Sequence, residues 1–340
     1  MNESKSIIST APGEDEFDDV LDSSVETESR VWCVGEAQHG QRLDRALAEL
    51  IPEFSRSYLQ QLIEAGAVTQ GDVVLRKPAF KVKAGEQGVI ELRPTPQSQA
   101  FKPQAMALKI VFEDEHLLVL NKPAGLVVHP APGNWSGTLL NGLLAHDALA
   151  AQLPRAGIVH RLDKDTSGLM VVARTRATMD ALVRLIARRE VSRQYVALAH
   201  RPWQGPWQRD IEAPIGRDPR NRLRMAVVDP TRHAGKPAKT TVELLANGES
   251  GCWLRCTLHT GRTHQIRVHL ASIGHPLVAD SLYGGAPAAG LQRQALHAFR
   301  LAFRHPVTDR PLVFRAPLPV DLRLALQAWG LGYNDQQEDR

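Results

Sequence analysis

The sequence predicts an α+β fold, in which a small basic unit precedes a larger domain built on a mixed, largely antiparallel β-sheet. Segments typical of strands and helices follow one another without a regular strand-helix repeat, which favours α+β over a parallel doubly wound sheet. The stretch 93–107 contains three prolines among Gln, Ser and Ala, a composition typical of a linker. A length of 340 residues suits two domains.

The composition is that of a soluble globular protein, with 43% apolar and 23% charged residues. No apolar run approaches the roughly 18 residues that a membrane-spanning helix needs, and the amino terminus lacks a signal-peptide pattern, so we expect a cytoplasmic protein with no membrane association. Three cysteines are too few for a four-cysteine zinc site and are atypical of a disulfide scaffold. Nothing in the sequence indicates an oligomer, so a monomer is expected.

Charge is distributed unevenly along the chain. Residues 1–30 hold nine acidic and two basic side chains and have no sustained apolar period, which predicts a disordered acidic tail. The rest of the chain carries 39 basic and 28 acidic side chains. This positive balance points to a polyanionic partner such as a nucleic acid.

The segment 38–92 predicts a small unit of two helices and a small sheet. Leu43, Leu47 and Leu50 recur at helical spacing, and Ser55 stands where an N-cap belongs before a second helix that ends at Gly66. Short strands are predicted around residues 68, 73–74, 80–82 and 89–90.

The larger domain is predicted over residues 108–325, followed by a C-terminal tail over 326–340. Strands are expected at 110–112, 117–120, 127–128, 171–172, 240–246, 252–260 and 264–270, and helices near 138–151 and 176–190.

A charged cluster lies between two apolar segments over residues 157–173. Because charges so placed lose solvation unless they are paired or used, the cluster indicates a functional site. Asp163 is a candidate nucleophile, Asp163 and Asp165 together are candidate metal ligands, and Asp165 alone would suit the cap of a turn.

Two further segments carry candidate residues. In the predicted strand 264–270, alternation places His264 and His269 on opposite faces, which argues against a shared metal. Arg267 lies among apolar neighbours, so we expect it to meet a buried carboxylate or a phosphate. Tyr195 enters a predicted strand, where a tyrosine usually serves in packing.

Several segments resemble known families. Residues 42–86 resemble an S4 RNA-binding domain of α/β type. The runs NKPAGLVVHP, HRLDKDTSGLMVVART, RQYVAL, TGRTHQIRVHL and HPLVADSLYGG resemble, in that order, the RluA family of pseudouridine synthases. The S4-like unit and the runs PGNWSGTLLNGLLAH and QRQALHA are most similar to the branch of that family that modifies the large ribosomal subunit.

The resemblance implies roles for individual residues. Asp163 would be the catalytic nucleophile, Tyr195 the ring that packs on the target base and takes part in proton removal, and Arg267 the partner that pairs with Asp163. Because a nearby arginine opposes the effect of burial on a carboxylate, our hypothesis is that Arg267 keeps Asp163 charged. Arg161 would fill the gap left by a flipped nucleotide. Further contacts with RNA are expected from Arg42, Arg45, Arg56, Arg262 and His264.

The resemblance also implies a fold and a partner. It implies the pseudouridine synthase fold and an enzyme that isomerises uridines to pseudouridine after flipping the base. The expected partner is 23S rRNA or a precursor of the large ribosomal subunit, and neither a cofactor nor a metal ion is expected. Two alternatives remain open from the residues alone. One is metal-dependent phosphoryl transfer or nuclease chemistry at Asp163 and Asp165. The other is a non-catalytic RNA-binding or ribosome-assembly factor.

Overall fold

The computed structural model of the chain describes residues 28–93, 100–131, 133–221 and 223–332. It divides into two compact units, Met1–Thr95 and Pro96–Arg340. Most of the predicted acidic tail, residues 94–99 of the predicted linker and residues 333–340 lie outside the described ranges. Among the described residues, no helix is long and apolar enough to cross a membrane.

The small unit contains a four-stranded antiparallel sheet and two helices. Its strands are β1 (Glu28–Cys33), β2 (Val68–Gln70), β3 (Val73–Val74) and β4 (Gln87–Leu92), in the spatial order β1-β4-β2-β3. Its helices are α1 (Leu43–Leu50) and α2 (Arg56–Glu64). The predicted apolar periodicity is confirmed, since Leu43 and Leu47 are fully buried and Leu50 packs, partly buried, against the same core.

Local signals at the ends of α2 are confirmed. The Ser55 side chain accepts a hydrogen bond from the backbone N–H of Tyr58 (3.3 Å), as an N-cap does. Gly66, just after the helix, has a φ of +77°, a conformation that favours glycine.

The small unit differs from the prediction in two places. Strand β1 begins at Glu28, inside the predicted tail, and pairs along its length with β4. Its sequence shows little periodicity because Trp32 is its one fully buried side chain. The predicted strand 80–82 is a single bridge between Lys81 and Arg42.

The large unit is built on a nine-stranded sheet. Its strands are β5 (Ile110–Glu113), β6 (Leu117–Lys122), β7 (Ser167–Ala173), β8 (Ser192–His200), β9 (Gln208–Glu212), β13 (Lys239–Asn247), β14 (Gly251–Leu258), β15 (Leu296–Arg304) and β16 (Pro311–Arg315). They run in the order β5-β6-β7-β15-β8-β14-β13-β9, and β16 pairs with β15. All pairs are antiparallel except β7 with β15, which confirms the predicted mixed, largely antiparallel sheet.

A second, three-stranded sheet and four helices complete this unit. The strands are β10 (Ile215–Arg217), β11 (Met225–Val227) and β12 (Gly235–Lys236). The helices are α3 (Leu139–His146), α4 (Arg176–Ala187), α5 (Gln265–Ser272) and α6 (Val320–Ala328). The segment 127–128, predicted as a strand, is irregular.

The parallel contact between β7 and β15 requires a glycine. Gly168 has a φ of +120°, and a Cβ added there would lie 2.3 Å from the carbonyl oxygen of Ala298. All seven residues of β7 are buried, so the strand forms the centre of the core. The segment that carries Asp163 therefore leads directly into a fully buried strand.

Both ends of the large unit extend past their predicted limits. Asn141 Nδ2 donates to the carbonyl oxygens of Ala100 (3.3 Å) and Lys102 (2.8 Å), so the end of the predicted linker packs against α3. Leu326 and Leu331 are buried in the core, although the predicted C-terminal tail begins at 326.

Candidate active site

Asp163 lies in a short loop that enters β7. The backbone N–H of Thr166 donates to the Asp163 carbonyl oxygen (3.1 Å) and closes a tight turn. The backbone N–H of Gly125 donates to the Lys164 carbonyl oxygen (2.9 Å), which ties this loop to the loop after β6. These contacts hold the backbone of the loop that carries Asp163.

A buried lysine binds backbone carbonyl oxygens of the same loop and of the loop after β6. Lys122 Nζ donates to the carbonyl oxygens of Pro123 (2.8 Å), Leu126 (2.9 Å) and Lys164 (2.9 Å). Burial lowers the pKa of Lys122 to about 8, although Asp165 and Asp163 oppose that effect. The ammonium group joins the two loops, so it positions Asp163 without touching it.

Arg267 links Asp163 to a second, buried carboxylate. Its Nε and Nη2 donate to the two oxygens of Asp280 (both 2.8 Å), and its Nη1 donates to Asp163 Oδ2 (3.0 Å). Burial by itself would lower the pKa of Arg267, but the two carboxylates raise it. The Asp163 side chain keeps 17% of its surface exposed, so it is paired and still accessible.

Two aromatic side chains complete the surroundings of this ion pair. The ring of Tyr283 faces the Arg267 guanidinium, with 5.0 Å between Cζ and the ring centroid. The Tyr283 hydroxyl lies 2.8 Å from His264 Nδ1, and His264 Nε2 lies 3.9 Å from Asp163 Oδ1. Burial lowers the pKa of His264 despite the nearby Asp163. A neutral His264 leaves Arg267 as the charged partner of Asp163.

The three predicted catalytic residues line one cavity of about 710 Å³. Tyr195 reaches it from β8, Asp163 from the loop before β7, and Arg267 from α5. The pKa of Tyr195 is raised to about 12, mainly by burial; Arg193 opposes this rise and Asp163 contributes to it. The phenol is therefore neutral at physiological pH.

The cavity wall is strongly cationic. Arg161, Arg262 and His264, three of the predicted RNA contacts, line it, and so do Arg155, Arg189 and Arg193. Burial, together with Arg155 and Arg161, lowers the pKa of His129 to about 4; burial and Arg193 lower that of His160 to about 3. A site that keeps His129 and His160 neutral while holding several arginines is suited to an anionic ligand.

The prediction that residues 264–270 form a strand is wrong, because residues 265–270 belong to helix α5. His264 takes a left-handed conformation (φ 57°) directly before the helix. The alternation of polar and apolar residues suggested a strand with one exposed face, but the polar residues of α5 are buried as well. Gln265 Nε2 donates to Thr240 Oγ1 (2.9 Å), and His269 Nδ1 lies 2.9 Å from the same hydroxyl.

The other predicted RNA contacts lie in the small unit. Asp44 is fully buried and accepts hydrogen bonds from Arg42 (2.9 Å) and Arg56 (2.8 Å). Burial would raise the pKa of Asp44, but hydrogen bonds from Arg42, Gln60 and Arg56 hold it well below its usual range. Arg45 is exposed beside Glu49. Arg42 and Arg56 thus serve the fold of this unit in addition to any contact with RNA.

Sequence reasoning missed Asp280 and Tyr283. Both belong to the segment HPLVADSLYGG, in which an acidic residue follows an apolar run and precedes a glycine pair. That placement of Asp280 was the signal in the sequence that could have marked it as a buried, functional carboxylate. Within the described parts of the chain, no group of three or more His, Cys, Asp or Glu side chains is arranged to hold a metal ion.

Comparison with known proteins agrees with this geometry. A family model described as RNA pseudouridylate synthase matches residues 116–272, and the S4 domain model matches residues 41–87. The chain is 49% identical over 312 residues to "Ribosomal large subunit pseudouridine synthase D" of Neisseria meningitidis serogroup B, covering 88% of this chain and 82% of the relative. It is 42% identical over 321 residues to the protein of that name in Escherichia coli O6:H1, covering 90% and 96%.

A solved structure has the same fold. "Human RNA Pseudouridylate Synthase Domain Containing 1" superposes with a TM-score of 0.51 at 27% identity, covering 64% of this chain and 86% of that one. The predicted fold and the predicted enzyme class are confirmed. The chain belongs to the RNA pseudouridylate synthase family and is an isomerase that acts on RNA.

Proposed function

We propose that the protein converts specific uridines of 23S rRNA, in the large ribosomal subunit or its precursor, to pseudouridine. Its similarity to enzymes named for the large ribosomal subunit supports this target. The protein would act as a monomer in the cytoplasm and would need neither a cofactor nor a metal ion. Asp163, Tyr195 and Arg267 would carry the chemistry.

The observation that carries the proposal is the ion pair between Asp163 and Arg267 inside a cationic cavity. Arg267 is held by Asp280 through two hydrogen bonds, so its third donor is fixed where Asp163 Oδ2 accepts it. Asp163 lines the cavity, and its other oxygen, Oδ1, lies 3.9 Å from His264 Nε2. A carboxylate placed in this way is a suitable nucleophile.

The reaction breaks the N1–C1′ bond of uridine and forms a C5–C1′ bond, with no net oxidation or hydrolysis. The Asp163 carboxylate would act as a nucleophile, at C1′ of the ribose or at C6 of the base, and would be released when the base rejoins the sugar. The hydrogen on C5 leaves as a proton, and N1 gains a proton. Each step needs only a carboxylate and proton transfer, which this site supplies.

Tyr195 would hold the flipped base and take part in the removal of the C5 proton as a relay: its neutral hydroxyl would accept that proton while passing its own to the Asp163 carboxylate once this is released. A uracil within an RNA stack is not accessible to Asp163, so the base has to be extruded into the cavity. There the Tyr195 ring offers a flat apolar face, and its hydroxyl is neutral because burial raises its pKa to about 12. Arg161, which is exposed at the cavity, would occupy the space that the base leaves.

Contacts outside the reacting base would come from basic residues in both units. In the large unit, Arg262 and His264 line the cavity wall. In the small unit, Arg42, Arg45 and Arg56 are grouped around the start of α1 and α2. Phosphate contacts of this kind position a protein on RNA, while base contacts select the site.

The test compares 23S rRNA, 16S rRNA and a tRNA mixture, each transcribed with tritium at uridine C5. Joining the base through C5 expels that hydrogen, so tritium release measures pseudouridine formation. With EDTA present, we expect release from 23S rRNA, naked or in reconstituted large-subunit particles, and none from the other transcripts. Release from tRNA alone would contradict the proposed target, and a requirement for a divalent cation in catalysis would contradict the proposed chemistry.

A further inference from the structure

Arg193 is a buried guanidinium with no partner. Its relative exposure is 7%, and its Nε is fully buried without a hydrogen-bond acceptor. No carboxylate pairs with it among the described residues. An unpaired charge in such a place opposes folding, because it loses water and gains nothing in return.

The other buried charged side chains in the described ranges all have partners. Lys122 is bound by three carbonyl oxygens, Arg267 by two carboxylates, and Asp218 by Arg224. Asp44 and Asp280 are likewise paired with arginines. Arg193 is the exception in this set, which indicates that its partner is supplied by the substrate.

The position of Arg193 directs it into the active-site cavity. It precedes Tyr195 by two residues on β8, so both side chains lie on the same face of the sheet, and both line the cavity. The Arg193 guanidinium packs against Gly261, where the absence of a side chain leaves it room. A Cβ added to Gly261 would lie 3.0 Å from Arg193 Nη1 and 3.8 Å from Cζ and Nη2.

We propose that Arg193 binds a phosphate group of the RNA next to the target uridine and so positions the flipped nucleotide over Asp163. This inference rests on the proposed function, because it needs RNA in this cavity. A phosphate is favoured over a uracil carbonyl oxygen because a guanidinium removed from water requires a full negative charge to balance it. The planar fork of Arg193 suits two phosphate oxygens.

The test uses Arg193→Met, which keeps the length of the side chain and removes its charge. The kcat/KM for tritium release from the 23S transcript is measured at several salt concentrations. We expect a fall of about 10- to 100-fold, the effect of losing a hydrogen bond to a charged group. The slope of log kcat/KM against log salt becomes shallower by about 0.7, since one phosphate contact to a single strand is lost.

Three further variants complete the comparison. Arg193→Lys keeps the charge and should keep the wild-type salt slope, with an intermediate kcat/KM. Arg176→Met removes a surface arginine that pairs with Asp180 on α4, and it should leave both quantities unchanged. Gly261→Ala crowds the guanidinium and should lower kcat/KM less than Arg193→Met does.

Thermal unfolding of the RNA-free protein separates binding from a structural role. Because Arg193 is unpaired there, we expect Arg193→Met to have a Tm equal to or above that of the wild type. A lowered Tm would show a structural role and overturn the proposal. So would an unchanged kcat/KM, and so would a lower kcat/KM with an unchanged salt slope, which would indicate a base contact instead.

Failure of the proposed function would be distinguishable from failure of this inference. If the wild type released no tritium from any transcript, the proposed target would be wrong. The salt dependence of transcript binding would then still test Arg193, because a lost phosphate contact makes that slope shallower as well. An equal binding slope in wild type and Arg193→Met would overturn the inference independently of catalysis.

Discussion

Arg267 Nη1 donates a hydrogen bond to Asp163 Oδ2 at 3.0 Å, across 104 residues of sequence. The same guanidinium is fixed by Asp280, so it cannot turn away from Asp163 without breaking two buried hydrogen bonds. The geometry holds a charged carboxylate in a largely enclosed place and leaves it accessible to substrate.

Arg267→Ala should lower kcat at least 100-fold and change the Kd for RNA by less than about threefold, since Arg267 acts on the nucleophile rather than on the RNA backbone. Single-turnover tritium release and filter binding give the two values. Arg262→Ala is the matched variant: because its side chain lies on the cavity wall, we expect a weaker Kd for RNA and a nearly unchanged kcat. A weaker Kd with unchanged kcat for Arg267→Ala would contradict the account. Arg267→Lys replaces it if alanine unfolds the protein.

Asp280→Asn should lower the free energy of unfolding by about 3 kcal/mol, because it breaks a buried ion pair and leaves Arg267 partly unpaired. Urea unfolding at neutral pH measures the change. Asp309→Asn removes an acid from the exposed pair with Arg304 and should cost less than about 1 kcal/mol. Equal effects of the two substitutions would show that the buried pair of Asp280 with Arg267 stabilises the fold no more than an exposed pair does.

How much of this site the sequence predicts depends on the residue. Asp163, Tyr195 and Arg267 lie in segments that the family resemblance identifies, and the structure brings all three to one cavity. The element that carries Arg267 was wrongly predicted, because α5 is buried around its whole circumference and lacks a polar face. Helical periodicity is visible only when one face meets water.

Other features depend on contacts between distant segments. Asp280 could not be assigned to Arg267 from its own segment, because the pairing depends on how α5 packs against the loop after it. Strand β1 was not predicted, because an edge strand with one buried side chain shows almost no alternation of apolar and polar residues. By contrast, α1 and α2 were predictable from local signals, namely leucine spacing and the Ser55 cap.

Stability should fall between pH 6.5 and pH 4 because of His297. This residue is fully buried, with Nδ1 2.9 Å from Ser167 Oγ, and burial lowers its pKa to about 4. In that pH range the unfolded chain binds a proton that the folded chain does not, so acid favours unfolding. The slope reaches at most about 1.4 kcal/mol per pH unit for one group.

His297→Gln should reduce this pH dependence. Urea unfolding at pH 7.5 and pH 5.0 gives the difference for the wild type and for the variant. The loss on acidification should be smaller in the variant, whatever its stability at pH 7.5. An identical loss in both proteins would show that His297 does not contribute to it.

The small unit offers a clean test of RNA binding at Arg45. Arg45 is exposed and pairs with Glu49 on the surface, so Arg45→Gln should leave the Tm unchanged. Binding of the 23S transcript should weaken with a salt slope shallower by about 0.7 to 0.9, while kcat at saturating RNA stays the same. Glu49→Gln removes a negative charge at the same place and should strengthen binding. Unchanged binding in both variants would remove Arg45 from the RNA contacts.

The most direct measurement is tritium release from 5-tritiated 23S rRNA by the wild type and by Asp163→Asn, with EDTA present. Asparagine keeps the size of the side chain and its contact with Arg267 but removes the negative charge. The account predicts release by the wild type and none above background by the variant, with similar RNA binding by both. Release by Asp163→Asn at the wild-type rate would contradict the central claim that the Asp163 carboxylate carries the isomerisation.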